Sequence, residues 1–260
     1  QGEIVGTNDV KQLIDAGTYR VVITSDNIDS TTNQATKDFV IEGISIADAD
    51  VTGVSNVFYQ GADVTFTADL KVKVGNETLT KGQDYAEPVY KNNNKAGNAS
   101  IVLTGIGNYG GTKTIPFTIK KADFSTDAEI VFEDDDDVIT YDGNTHTPVI
   151  ESVTLKADGY ADAVLGKNDY TTNISSFSSE DKKNAGTLNV KVQPSSTKSG
   201  IFTGSKTVPF TIEKADFDDI NAKIAAITNQ TYKGEAIEPK VTLSATPAGS
   251  YKFVADSDFV

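Results

Sequence analysis

A repeat of about 80 to 90 residues runs through the sequence, and it restricts the fold more than any other feature. Two short motifs each mark three equivalent positions at the repeat spacing, and a third marks two, in the same order along the chain. They are an Ala-Gly pair (16–17, 96–97 and 185–186), a Tyr-x-Gly turn (59–61, 141–143 and 232–234) and a Phe-Thr-Ile segment (117–119 and 210–212, with a weaker copy at 39–41). A fixed period is typical of an array in which one structural unit is used several times. We therefore expect several small domains rather than one large one.

Apolar and polar residues alternate after each Ala-Gly pair, in the same phase each time. The apolar positions are Tyr19, Val21 and Ile23 in the first segment, Ala99, Ile101 and Leu103 in the second, and Leu188, Val190 and Val192 in the third. A period of two is typical of a β-strand with one face on a core. A slip of one residue would turn the strand over, so the shared phase predicts that the same face is buried in all three segments.

The closing strand predicted for each complete repeat contains a proline, Pro116 or Pro209. Proline cannot donate to a strand ladder, so this strand is expected at a sheet edge or at a bulge. An aromatic residue followed by glycine precedes it, at Tyr109 and Phe202, and predicts a turn whose aromatic ring packs inward. Six to eight short strands per repeat, separated by turn signals, make a small β-sandwich. The predicted fold class is therefore all-β.

Two residues separate one predicted repeat from the next: Lys120 and Lys121 at one junction, Glu213 and Lys214 at the other. Flexible linkers are longer and rich in Gly, Ser or Pro, so the array is expected to be a stiff, extended rod. The predicted segments are the C-terminal half of a repeat (1–44), a complete repeat (45–121), a complete repeat with insertions (122–213) and the N-terminal half of a repeat (214–260).

Composition excludes several classes of function. The formal charge is −14, from 37 acidic and 23 basic residues, and such a surface repels nucleic acids and anionic membranes. The chain contains no cysteine, so disulfides and thiolate chemistry are not expected. No apolar run is long enough to cross a bilayer, so membrane insertion is not expected. The sequence does not start with methionine and shows no signal peptide, which is typical of a piece of a longer protein.

Four segments between residues 81 and 119 closely resemble bacterial immunoglobulin-like repeats of the MBG-like type. They read KGQDY at 81–85, KNNNKAG at 91–97, TGIGNYGGT at 104–112 and FTI at 117–119. Such modules occur in tandem in secreted and wall-anchored proteins of Gram-positive bacteria, including adhesins. The resemblance implies tandem immunoglobulin-like β-sandwiches and an extracellular location, either secreted or at the cell surface. It implies no catalytic residue.

Two features with a possible chemical meaning are better explained structurally. Gly105, Gly107 and Gly110 spell G-x-G-x-x-G, but a dinucleotide site needs a helix after this motif, and here a strand containing proline follows. His146 is the only histidine, and a metal site or a nucleophile–base pair needs further partners that the sequence does not supply. The sequence therefore predicts a protein that is not an enzyme and has no cofactor.

Clustered aspartates leave one hypothesis about a metal open, because Ca²⁺ prefers carboxylate ligands. Asp134 and Asp136 lie in the densest acidic run, and Asp48, Asp50 and Asp123 lie near the junctions. Consecutive aspartates in a strand point to alternate sides, so the whole run cannot converge on one ion. The alternative is that the run is a hydrated surface loop.

The expected function is that of a rigid stalk or adhesive module in a bacterial surface protein, and two alternatives stay open. Tyr160 and Tyr251 do not repeat obviously, so each is a candidate contact for a sugar ring in a glycan-binding module. The other alternative is a surface-layer or filament subunit, completed by strand exchange between neighbouring copies. The expected partners are other repeats of the same chain, a host glycan or protein, or further copies of the chain.

Overall fold

Short β-strands form most of the regular structure, and the all-β prediction is confirmed. The computed structural model describes residues 2–5, 13–23, 35–133, 137–217, 222–239 and 241–244. Contacts divide the chain into unit 1, which is Gln1–Lys121 with Gly159–Ala161, and unit 2, which is Ala122–Asp158 with Asp162–Val260. The four segments predicted from the repeat remain predictions.

Unit 1 contains twelve strands among its described residues. They are β1 (Gly2–Val5), β2 (Gly17–Ile23), β3 (Ala35–Ile41), β4 (Ile44–Ser45), β5 (Asp50–Thr52), β6 (Val57–Phe58), β7 (Lys71–Val74), β8 (Glu77–Thr78), β9 (Val89–Lys91), β10 (Gly97–Thr104), β11 (Tyr109–Gly110) and β12 (Thr112–Lys120). Two of its sheets have the orders β5-β7-β8 and β6-β12-β10-β9, a third has the order β1-β2-β3, and β4 pairs with β11.

A single apolar core joins the β5-β7-β8 and β6-β12-β10-β9 sheets of unit 1. Its buried members include Val72 from the first sheet and Ile101, Leu103 and Phe117 from the second. The Phe66 ring meets the Phe117 ring edge-on, with the centroids 5.1 Å apart. Burial of such side chains on two facing sheets is the main stabilising term of a sandwich.

Unit 2 begins with a four-residue helix and continues in strands. Its elements are α1 (Phe124–Asp127), β13 (Ala128–Phe132), β14 (Val138–Thr140), β15 (Ile150–Leu155), β16 (Ala163–Val164), β17 (Tyr170–Thr172), β18 (Gly186–Pro194), β19 (Lys206–Glu213), β20 (Lys223–Ile224) and β21 (Leu243–Ser244), with 3-10 turns at Ile174–Ser176 and Ser196–Lys198. No helix within the described ranges has both the length and the apolar character needed to span a bilayer.

The sheets of unit 2 have the orders β13-β15-β16 and β14-β19-β18-β17, with β20 paired to β21. These orders correspond strand for strand to β5-β7-β8 and β6-β12-β10-β9. The correspondence includes an unusual detail, because β14 runs parallel to the end of β19, as β6 runs parallel to the end of β12. The other pairings within the four-stranded sheets are antiparallel.

The predicted burial phase is confirmed in two strands and is wrong in the third. Ala99, Ile101 and Leu103 are buried in β10, as are Leu188, Val190 and Val192 in β18. In β2, however, Val21 and Ile23 are 37% and 64% exposed, whereas Val22 between them is buried. The reason is that burial depends on what covers a face, and the face of Val21 and Ile23 stays open to solvent.

The closing strands β12 and β19 each lie between two neighbours in their sheets, so the prediction of an edge strand is wrong for the strand as a whole. Among the described residues it holds locally, because no strand pairs with the outer side of Pro116 or Pro209. Pro116 faces Ser100 of β10, while β6 pairs only with Ile119 and Lys120 at the far end of β12. Pro209 of β19 repeats this position in unit 2, where β14 pairs from Thr211 onward. The missing N–H of each proline therefore removes no ladder hydrogen bond.

Candidate functional site: a groove in unit 2

The connection between β17 and β18 distinguishes unit 2 from unit 1. It spans residues 173–185, whereas the corresponding connection between β9 and β10 spans only residues 92–96. Asn173 fastens its start to β18, because its Nδ2 donates to the Asn189 carbonyl (3.1 Å) and its Oδ1 accepts from the Lys191 amide (2.8 Å). The extra length is therefore held in an ordered arrangement.

Ser178 and Asp181 close the far part of this connection on itself. Asp181 Oδ2 accepts hydrogen bonds from the Ser178 amide (2.9 Å) and from its hydroxyl (2.7 Å). These two bonds, and to a smaller extent the charge of Lys182, hold the pKa of Asp181 below its ordinary value. The neighbouring Lys182 carbonyl accepts from the His146 amide at 2.7 Å, which ties the connection to the segment before β15.

An open groove with a volume of about 570 Å³ lies between this connection and the start of β15. Thr147, Pro148, Val149, Ile150, Lys167, Tyr170, Thr171, Thr172, Ile174, Ser175 and Lys182 line it. The lining combines hydroxyl groups, aliphatic side chains, one half-buried tyrosine and two lysines, and contains no carboxylate. Burial raises the pKa of Tyr170, so its phenol stays protonated at neutral pH and can donate a hydrogen bond.

The two lysines of the groove form no ion pair with any described residue. Other lysines of unit 2 are neutralised: Lys198 Nζ lies 3.1 Å from Asp169, and Lys156 Nζ lies 2.8 Å from Glu129. The carboxylate of Asp181, next to Lys182 in sequence, accepts hydrogen bonds from Ser178 and does not line the groove, but it also interacts electrostatically with Lys182. The groove is therefore a local positive site on an acidic protein.

Unit 1 shows a different arrangement at the corresponding place. Tyr85, which matches Tyr170 in the repeat, is only 5% exposed, and burial raises its pKa. Lys81 lies 3.0 Å from Glu87 and is neutralised. Of the two corresponding tyrosines, only Tyr170 of unit 2 is half-buried and lines a groove.

The aspartate before each of these tyrosines has a structural task. Asp169 Oδ2 accepts from the Gly166 amide (2.9 Å), and its carbonyl accepts from the Ser195 amide (3.0 Å). Asp84 does the same in unit 1, with the Thr80 amide at 2.7 Å and the Ile106 amide at 2.9 Å. The repeated Asp-aromatic motif therefore closes a turn and fastens it to the neighbouring loop.

Replacing Asp169 by alanine is expected to destabilise unit 2 by about 1–2 kcal/mol, because the Gly166 amide loses its acceptor and Lys198 loses its partner. Urea unfolding measures the change, and hydrogen exchange of the Gly166 amide localises it. Asp158→Ala, at an exposed position, is the matched control and should change stability by less than about 0.5 kcal/mol. Equal effects of the two substitutions would contradict the turn-closing role.

His146 stabilises the turn that follows β14 through a hydrogen bond to Asp142. Its Nε2 lies 2.7 Å from Asp142 Oδ1, and Asp142 also accepts from the Asn144 amide and side chain, each at 2.8 Å. Burial alone would raise the pKa of Asp142, but the hydrogen bonds from His146 and Asn144 outweigh it and the pKa is lowered. The arrangement gives His146 a structural partner and accounts for its place in the turn.

The lowered pKa of Asp142 predicts a pH effect with a definite sign. The folded state binds this proton more weakly than the unfolded state, whose aspartate pKa is about 3.9. The contribution of Asp142 to stability is therefore present above that value and is lost as the pH falls through the lower folded-state pKa. His146→Gln should raise the Asp142 pKa, as measured by carbon-detected NMR titration of the carboxyl group.

Asp38 is the internal reference for this titration. Its pKa is lowered by a hydrogen bond from Arg20 in unit 1, and His146→Gln should leave it unchanged. If the Asp142 titration also stays unchanged in the variant, His146 does not stabilise the carboxylate.

The aspartates predicted as calcium ligands do not form a cluster within the described ranges. Asp48 and Asp50 are exposed, and Asp123 Oδ1 accepts from the Ser125 amide (2.9 Å) and hydroxyl (2.6 Å) as the N-cap of α1. No group of three or more His, Asp or Glu side chains placed to hold a metal occurs in the part of the chain that the structure describes. Asp134 and Asp136 lie outside those residues, so calcium binding by the acidic run stays a prediction.

Tyr160, predicted as a sugar contact, packs within unit 1. Its ring centroid lies 5.7 Å from that of Phe58, and Lys120 Nζ lies 5.8 Å from the ring centroid. Beside it, Asn56 Nδ2 donates to the Gly159 carbonyl at 3.2 Å. These contacts give the ring a packing role. Tyr251, the other candidate, lies outside the described residues.

Tyr170, Lys167 and Lys182 are the site residues that the sequence interpretation missed. Tyr170 follows an aspartate, as Tyr85 does in unit 1, so its sequence surroundings do not distinguish it. The available signal was the insertion in residues 175–183, because an insertion in one copy of a repeat often carries the function specific to that copy.

Comparisons with known proteins give little more. No protein-family model matches the chain, and no curated protein matches it. A solved structure that resembles it is the crystal structure of the S-layer protein rSbsC(31-844), with a TM-score of 0.31 and 16% sequence identity over 93% of this chain. The chain spans 37% of the length of that protein. A likeness this weak does not establish a shared fold.

Proposed function

We propose that this chain is a non-catalytic, extracellular segment of a bacterial surface protein, in which tandem immunoglobulin-like sandwiches act as a stiff spacer or adhesive module. The main support is that two sandwiches, one in each unit, have the same strand order and the same parallel pairing of an early strand with the end of the last one. Two facing sheets of three and four strands with this pairing agree with an immunoglobulin-like module.

The short junction supports stiffness. Lys120 ends β12, and Ala122 is already buried in unit 2, where its carbonyl accepts from the Thr203 amide at 2.9 Å. Only Lys121 lies between the two, so few backbone torsions are free to change at this point. A spacer that holds a distal domain away from a surface requires such restricted joints.

Small-angle X-ray scattering tests the spacer. The chain should give a narrow distribution of distances consistent with one conformation. A variant with a flexible Gly-Ser linker inserted between Lys121 and Ala122 serves as the control and should give a broader distribution. Indistinguishable distributions for the two proteins would rule out a stiff joint.

The second candidate function is that of a surface-layer or filament subunit. It is supported by a sheet face of β2 and β3 that is exposed, whereas the corresponding face of β10 and β12 is buried. Val21, Ile23 and Phe39 on β2 and β3 are exposed, whereas their counterparts in β10 and β12 are buried. In unit 1 the buried face is covered by the sheet in which β5 pairs with β7. β20 and β21 form an antiparallel pair, as β5 and β7 do, and Ile224 of β20 is exposed. This pair could cover the open face in a neighbouring copy.

Sedimentation velocity across a range of concentrations tests this candidate. Association should increase with concentration and should be lost in Ile23→Asp, which places a charge on the open face. Val89→Asp, at another exposed valine, is the control and should associate like the parent chain. A monomer at all concentrations would exclude the candidate.

A further inference from the structure

The groove in unit 2 differs in charge from the rest of the protein. The chain carries a formal charge of −14, yet both charged residues that line the groove, Lys167 and Lys182, are basic. Neither ammonium group forms an ion pair with a described carboxylate, although the charge of Lys182 acts on the neighbouring Asp181 and helps to lower its pKa. An anionic ligand entering this groove would therefore meet two lysines that form no ion pair and no carboxylate in the lining.

The remaining lining matches a polyhydroxylated ligand better than an apolar one. Thr147, Thr171 and Ser175 contribute hydroxyl groups, each of which can donate and accept. Tyr170 adds a phenol that stays protonated and a half-buried ring. The ring of Tyr170 and the aliphatic side chain of Val149 both line the groove and offer a sugar ring an apolar surface for its C–H groups.

The size of the groove limits the ligand. A volume of about 570 Å³ falls within the range of small-molecule sites, roughly 300–1,000 Å³. Because the groove is shallow and wide open to solvent, only part of a ligand would be buried, and affinity should be low. One or two sugar residues of a longer chain fit these limits.

We propose that this groove binds an acidic saccharide, with the carboxylate of a uronic or sialic acid residue between Lys167 and Lys182 and the sugar ring against Tyr170. The connection 173–185 provides the wall that unit 1 lacks, and the Asn173 hydrogen bonds to β18 hold this wall before ligand arrives. Such preorganisation reduces the entropy lost on binding. The inference does not depend on whether the chain is a stiff spacer.

Amide NMR titration of the whole chain tests the proposal with three probes: methyl glucuronide, N-acetylneuraminic acid and methyl glucoside. The two acids should shift the amides of Thr147, Tyr170 and Ser175, with dissociation constants in the millimolar range, and the neutral glucoside should bind at least about fivefold more weakly. Equal binding of the glucoside, or no shift at these amides at about 50 mM ligand, would overturn the proposal.

Lysine variants test which positive charges contribute to binding of the acidic sugar. Lys167→Gln and Lys182→Gln should each weaken binding of methyl glucuronide about three- to fivefold, as expected for partly exposed ion pairs. Lys73→Gln, at an exposed lysine of unit 1, is the matched control and should bind like the parent chain. Tyr170→Phe keeps the ring and should retain the preference for the acid over the glucoside. If the double lysine variant binds methyl glucuronide as well as the Lys73 variant does, the assignment of the groove is wrong.

Discussion

Substituting Gly53 with alanine should destabilise unit 1 by about 3 kcal/mol or more. Gly53 follows β5 and has a φ of +85°, a region that L side chains rarely adopt. A Cβ atom at this position would overlap the backbone carbonyl of Asp69 and would lie 3.1 Å from the Leu70 amide nitrogen. Because these neighbours are backbone atoms that lead into β7, they cannot move without disturbing the core sheet.

Gly75→Ala separates the cost of the positive φ from the cost of steric overlap by the added Cβ atom. Gly75 also has a positive φ, +60°, but an added Cβ would meet no atom within 4 Å. This variant should cost only about 1–2 kcal/mol from backbone strain. Urea unfolding of both variants, with hydrogen exchange at the Ile101 amide to report on unit 1, gives the comparison. Similar losses in the two variants would mean that steric overlap with Asp69 is not the cause.

Replacing Phe202 by alanine should remove about 3–5 kcal/mol from the stability of unit 2. Phe202 is 1% exposed, and its ring centroid lies 5.7 Å from that of Phe124, which is fully buried. The inward-packing aromatic predicted in the turn before the closing strand is thus confirmed here. Deleting the ring leaves a cavity between α1 and the loop before β19 that the surrounding side chains cannot fill.

Phe217→Ala is the matched control, because Phe217 is 53% exposed. Its effect should stay below about 0.5 kcal/mol. Equilibrium unfolding gives the total change, and amide exchange at Val190, which is fully buried, reports on unit 2. A loss below about 1 kcal/mol for the Phe202 variant would show that the site collapses around the missing ring.

Local patterns in the sequence account for much of the fold. The alternation in residues 97–104 and 186–194 correctly predicts which side chains are buried in β10 and β18. The prolines correctly predict a locally unpaired stretch, although β12 and β19 each lie between two strands of their sheets. In β2 the same alternation failed, because a pattern reports which face is apolar but not whether another sheet covers it. Val22 is buried there instead of Val21 or Ile23.

The groove could not be predicted from local sequence patterns, for a different physical reason. It exists because the connection 173–185 is tied to a segment distant in sequence, through the hydrogen bond from the His146 amide to the Lys182 carbonyl. Tyr170 and Tyr85 occupy the same place in the repeat, yet Tyr170 is only half-buried and Tyr85 is buried. The repeated motif predicts what its two copies share, namely the turn that Asp84 and Asp169 each close. It does not predict which other residues surround the tyrosine in each copy.

The parallel pairing of β6 with the end of β12 has a mechanical consequence. Tension applied to the chain on both sides of this sandwich would pull these two strands in opposite directions along their length. The bonds between them, including the one from the Tyr59 amide to the Lys120 carbonyl (2.8 Å), would then be loaded together in shear instead of breaking one after another. Resistance to such force depends on the rate of unfolding rather than on equilibrium stability. The β14–β19 pair would bear load in the same way.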